Sequence, residues 1–170
     1  MSKVRLYLVR HGKTMFNTIG RAQGWSDTPL TAEGELGIHE LGIGLRESGL
    51  QFDRAYSSDS GRTIQTIGII LEELGLQGKI PYRMDKRIRE WCFGSFDGAY
   101  DGDLFMGLIP RIFNVDHVHQ LSYAELAEGL VEVDTAGWAE GWEKLSGRIK
   151  EGFEAIAKEM EEQGGGNALV

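Results

Sequence analysis

Three residues at the end of one apolar run carry most of the chemistry that can be read from this chain. Val4-Arg5-Leu6-Tyr7-Leu8-Val9 reads as a buried strand, and it delivers Arg10-His11-Gly12 into a polar segment. A neutral imidazole is a good phosphoryl acceptor, an arginine is a permanent cation with several donors, and a glycine lets the backbone approach an anion closely. Together they point to phosphoryl transfer. Arg62 falls in the first turn of a helix expected from about Arg62 to Leu74, where exposed N–H groups also favour an anion. From the residues alone, Glu90 reads as a partner in a structural ion pair with Arg87 or Arg89.

The elements that must hold these residues alternate. The spacing predicts strands over 4–9 and 52–57, a weaker strand over 79–82, and a further apolar strand that begins at Asn167-Ala168-Leu169-Val170. Thr31 is the expected N-cap of a helix to about Ser48, stopped by Gly49, with Leu41 and Leu45 on its apolar stripe and Gly37 and Gly44 allowing close packing on a sheet. Ile64, Ile67, Leu71 and Leu74 form the stripe of the next helix. Residues 12–28 and 87–98 read as loops, short helices are expected over 103–109 and 123–130, and a long one over about 135–163. This pattern indicates a single α/β layered domain, residues 1–170, with a largely parallel sheet.

Composition narrows the setting. The chain has 170 residues, 41% hydrophobic and 26% charged, and its longest apolar runs are strand-length, so a membrane partner is not expected. One cysteine, Cys92, excludes an internal disulfide and suits a reducing cytoplasm. A net charge of −8 argues against nucleic acid, and an anionic substrate then needs a local basic pocket. His117 and His119 lie on one side of a segment read as extended, which raises a metal-binding reading, but two histidines without further ligands are weak grounds for zinc. His39 is expected at the surface of its helix, Cys92 in the core, and Trp91, Phe93 and Phe96 in a pocket wall or core.

The ordered set Arg10-His11-Gly12-Lys13-Thr14 with Asn17, Arg21 to Thr31, Ser57 to Thr66 and Arg89 to Gly98 resembles the histidine phosphatase superfamily, which includes the cofactor-dependent phosphoglycerate mutases. The resemblance implies a three-layer α/β/α fold of phosphoglycerate-mutase type with its pocket at the carboxyl ends of the strands. It implies His11 as the phosphorylated nucleophile and Glu90 as proton donor. Arg10, Asn17, Gln23, Gly24 and Arg62 would border the phosphate, with no metal and no cofactor. Lys13 stands where relatives commonly have an acidic residue.

Relatives carry a second histidine directly after a strand like 167–170, so the chain is expected to be truncated ahead of it. Weak activity, or a homodimer completed by strand exchange, is the corresponding expectation. The expected function is hydrolysis of a small phosphate monoester in the cytoplasm, since classical mutases carry longer insertions. The alternatives are a weakly active or inactive phosphate-binding remnant and a mutase.

Overall fold

The computed structural model describes residues 3–170. The chain forms two compact units, one made of residues up to Met15 with Thr28–Arg89 and Lys150–Val170, the other of Phe16–Asp27 and Glu90–Ile149.

The first unit holds four parallel strands, β1 (Val4–Tyr7), β2 (Arg54–Ser57), β3 (Tyr82–Met84) and β4 (Gly166–Leu169), in the order β1-β4-β2-β3. Alternation along the strands sorts their side chains between two faces. Tyr7, Ala55 and Leu169 pack with Ile38, Ile67, Ile70 and Leu71, which belong to α2 (Ala32–Glu47) and α3 (Gly61–Glu73). Leu6, Tyr56 and Ala168 pack with Ile156 and Met160 of α6 (Trp142–Glu162), whose part from Lys150 onward lies in this unit. The result is the expected α/β/α layering with a parallel sheet. β4 is interior, and pairing runs past its end: Val170 N donates to Tyr7 O (2.9 Å) and Val9 N to Val170 O (2.8 Å).

α2 begins as its sequence requires, with the Thr31 hydroxyl accepting from Gly34 N (3.1 Å), and it ends before Gly49, whose φ of +73° only glycine adopts cheaply. The close-packing glycines are Gly34 and Gly42, not the expected Gly37 and Gly44, which have open space around them. A Cβ on Gly42 would lie 2.7 Å from the Glu73 Cβ, so the close approach is of helix on helix. His39 lies at the surface as expected, its side chain 41% exposed, and its Nδ1 is 2.8 Å from Glu73 Oε1 across the same contact. Ile64 is exposed, and the buried stripe of α3 starts a turn later at Ile67.

The weak third strand is shifted from 79–82 to Tyr82–Met84. Leu76–Lys79 is spent on a turn after α3, and the Pro81 carbonyl is the first group to accept from β2, at Ala55 N (3.0 Å). Among the described residues no helix is long and apolar enough to cross a membrane.

The second unit has its own core of Trp91, Leu104, Ile109, Leu126, Ala127, Leu130 and Leu145. The wall residues Trp91, Phe93 and Phe96 belong to it or pack on it, and Cys92 is buried with its thiol pKa raised by that burial. Residues 12–28 are not all loop, since Met15–Thr18 makes one helical turn, α1. A wide π-type turn at Gly102–Leu108 leads into α4 (Ile109–Phe113), and α5 (Tyr123–Val133) follows a capping box of Ser122 and Glu125.

The long helix starts at Trp142 rather than near Thr135. Asp134 accepts from the amides of Ala136, Trp138 and Ala139 and from Ser95 N, which folds the segment into a turn instead. Burial raises the Asp134 carboxyl pKa, but those hydrogen bonds outweigh it and hold the group well below the usual carboxylate range. His117 and His119 are exposed, and Val118–Gln120 is a 3-10 turn, so the segment is not extended. No group of three or more His, Cys, Asp or Glu suited to a metal exists among the described residues.

Candidate active site

Parallel strands send their carboxyl ends to one edge, and the first unit places two of the candidate segments there. Arg10, His11 and Gly12 leave the sheet just after Val9, and Ser58 to Ser60 turn β2 into α3 so that Arg62 lies in its first turn. One hydroxyl ties the two segments together. Gly12 N donates to Thr66 Oγ1 (3.0 Å), and Thr66 Oγ1 donates to Arg62 O (2.8 Å). Gly12 must be glycine, because a Cβ there would lie 2.9 Å from both Gly34 O and Ile38 Cγ1.

The His11 ring has a defined tautomer. Its Nδ1 is 2.8 Å from the Gly12 carbonyl, and a carbonyl oxygen only accepts. Nδ1 therefore carries the proton, and in the neutral ring Nε2 carries the lone pair. Beside the ring lies a cavity of about 170 Å³ walled by Val9, Tyr56, Ser58, Thr66 and Val170 among others. Ser58 and Thr63 share a hydrogen bond (2.8 Å), and Thr63 Oγ1 donates to Ser60 O (2.8 Å), which fixes the turn ahead of Arg62.

Arg62 is buried, 1% exposed, although its helix presents the positive end of its dipole at that point. A guanidinium and a helix N-terminus are each groups that attract an anion. Arg10 is exposed and His11 half-buried, so solvent reaches this edge. Lys13 turns to an exposed ion pair with Glu33 (2.7 Å).

The second unit brings the Gln23–Gly24 loop and Glu90 together. A Cβ on Gly24 would fall 2.2 Å from the Trp91 carbonyl oxygen, so the loop lies directly on the backbone that follows Glu90. Trp25 Nε1 donates to Glu90 O (3.0 Å). Asp97 holds the loop in shape by accepting from Gly24 N (2.8 Å), Trp25 N (3.3 Å), Ser26 N (3.1 Å) and Phe93 N (3.2 Å). Gln23 is buried and Asn17, on α1, is exposed.

Glu90 is exposed, and its Oε1 accepts from Trp91 N (2.9 Å). The alternative ion pairs go elsewhere. Arg87 binds Asp85 through Nε (3.0 Å) and Nη2 (2.6 Å), and Arg89 forks onto Asp59. The Arg87 guanidinium holds the Asp85 carboxyl down at about 2, and the hydrogen bond from Arg89 lowers Asp59 as well.

Thr66 and Asp97 organise these two groups, yet neither stands out in the sequence as more than a member of a motif. Their contributions are long-range hydrogen bonds, which leave no periodic trace.

The chain is similar to known proteins in sequence and in fold. The chain is 34% identical over 94 residues to 2,3-bisphosphoglycerate-dependent phosphoglycerate mutase 2 of Bacteroides thetaiotaomicron, covering 55% of the chain and 38% of that protein. It is also 34% identical over 133 residues to 2,3-bisphosphoglycerate-dependent phosphoglycerate mutase 1 of Latilactobacillus sakei, covering 77% of the chain and 54% of the relative. The chain thus spans roughly half or less of the length of these curated relatives. The crystal structure of phosphoglycerate mutase from Bacillus anthracis str. Sterne superposes with a TM-score of 0.91 at 37% identity, over 99% of this chain and 74% of that one. The family model of the histidine phosphatase superfamily, branch 1, matches residues 6–106, more than half of the chain, and the chain belongs to that superfamily.

Proposed function

We propose that this chain carries the catalytic chemistry of a phosphatase that moves the phosphoryl group of a small phosphate monoester to His11 and then to water, in the cytoplasm. The hydrogen bond from His11 Nδ1 to Gly12 O carries the reading, since it makes Nε2 the nucleophilic nitrogen at the exit of β1. In the first step Nε2 attacks phosphorus and the ester P–O bond breaks. The Glu90 carboxyl, in the role the family resemblance assigns it, gives its proton to the departing alkoxide oxygen. In the second step water attacks phosphorus, the P–N bond breaks, and the Glu90 carboxylate takes the proton that water releases. The family resemblance gives Arg10, Arg62, Asn17, Gln23 and the Gly24 backbone the task of holding the non-bridging oxygens as charge builds on them. The route calls on no metal or cofactor.

Brief incubation with a reactive phosphoryl donor is expected to leave an acid-labile adduct on His11, absent in His11→Asn. An adduct on His117 or His119 with His11 unmodified overturns the assignment. A second reading, a mutase, is favoured by the names of the relatives at 34% and 37% identity. In it the phosphoryl group returns to another hydroxyl of the same molecule. Release of inorganic phosphate from phosphoglycerate supports hydrolysis, and interconversion of its isomers without release supports the mutase.

A further inference from the structure

The Glu140 side chain is fully buried, and Arg148, 13% exposed, forks onto it through Nε to Oε1 (2.8 Å) and Nη2 to Oε2 (2.7 Å). A buried ion pair is a poor device for stability alone, because desolvation offsets most of the attraction and apolar replacements are often neutral. Its other bonds show what it holds. Arg148 Nη2 donates to Glu90 O (3.2 Å), Cys92 N to Glu140 Oε2 (3.2 Å), Trp91 Nε1 to Glu140 O (2.8 Å) and Glu140 N to Cys92 O (3.1 Å). Two of these bonds come from the side chains of the pair and two from the Glu140 main chain, and all four fall on positions 90 to 92.

The Glu90 carboxyl is coupled to that clamped backbone. Its Oε1 accepts from Trp91 N (2.9 Å), the amide directly between the two clamped points, so the direction of the carboxyl follows the direction of the main chain. The Glu90 carbonyl meanwhile receives Trp25 Nε1 (3.0 Å) as well as Arg148, which leaves the peptide plane little freedom to rotate. We infer that Glu140 and Arg148 are positioning residues for proton transfer by Glu90. The inference rests on the reading above in which Glu90 is the proton donor.

Proton donation matters most when the leaving group is a poor one, so two esters of similar shape, 4-nitrophenyl phosphate and phenyl phosphate, separate positioning from mere support. The double variant Glu140→Leu/Arg148→Met removes both charges together and leaves neither stranded. Arg148→Lys keeps the charge but loses the planar fork, and serves where the double variant fails to give a cooperative urea transition. Either variant is expected to lower kcat on phenyl phosphate by roughly 10- to 100-fold, the scale of a misplacement of about 1 Å, with KM unchanged and a much smaller loss on the nitrophenyl ester.

Adding Glu90→Gln to the variant should then cost far less than it does in the parent. Equal losses on both esters, or full additivity with Glu90→Gln, overturn the positioning role while leaving Glu90 as donor. If Glu90→Gln in the parent fails to discriminate between the esters, Glu90 is not the donor and the positioning role falls with it.

Discussion

Replacing Thr66 by valine removes one hydroxyl and almost no volume, and that hydroxyl is the link between the His11 loop and α3. Its loss strands the buried Gly12 amide, which donates to it at 3.0 Å. An unsatisfied buried donor costs about 1 to 3 kcal/mol. The Arg62 carbonyl loses the same hydroxyl at 2.8 Å but keeps its place in the main-chain ladder of α3, so its share is small. The net expectation is about 2 kcal/mol, or roughly 4 to 8 °C in Tm for a chain of this size. Thr66→Ser keeps the hydroxyl and drops a methyl group, which costs about 1 kcal/mol by transfer alone.

The pair separates packing from hydrogen bonding when urea unfolding and turnover are measured together. Valine should lose both stability and at least roughly tenfold in kcat as His11 drifts from its place, while serine loses stability with its turnover nearly intact. If Thr66→Val matches the parent in midpoint and in kcat, the Gly12-Thr66-Arg62 chain of bonds is not what fixes the nucleophile, and the reasoning fails.

Acid stability should report on Asp85. Its folded pKa of about 2 lies below the unfolded value of about 3.9, so its contribution, about 2 kcal/mol, is complete above about pH 4 and is lost as pH falls toward 2. Urea midpoints across that range should fall less steeply in Asp85→Asn, and an identical slope would remove the Arg87–Asp85 pair from the account of acid unfolding. Gly24→Ala should cost about 1 to 3 kcal/mol and most of the turnover, since its Cβ would lie 2.2 Å from a backbone oxygen that cannot swing aside. Gly37→Ala, in open space on α2, should instead stabilise by about 0.5 to 1 kcal/mol, and melting curves that rank the two the other way would contradict the packing described.

Much of the first unit was legible in the chain alone. The run ending at Arg10-His11-Gly12, the helix between Thr31 and Gly49, and the turn at Ser58 to Gly61 ahead of Arg62 all follow from signals confined to a few neighbouring residues. Apolar runs, an N-cap hydroxyl and a C-terminal glycine act through bonds one turn long, so they survive reading in one dimension. The candidate residues were legible for a related reason, because His, Arg and Glu are recognised by chemical type within an ordered motif.

Only the folded chain decided the rest. β3 takes its register from the Pro81 carbonyl meeting Ala55, and α6 begins where Asp134 stops claiming amides. Gly42 rather than Gly37 is the contact glycine because α3 lies on that side of α2. The hydrogen bonds that organise the candidate site join residues 54 apart at Gly12 and Thr66, 73 apart at Gly24 and Asp97, and 58 apart at Glu90 and Arg148. A bond of that span has no period and no fixed sequence distance, and its partners come into range only when the sheet and helices have already placed them.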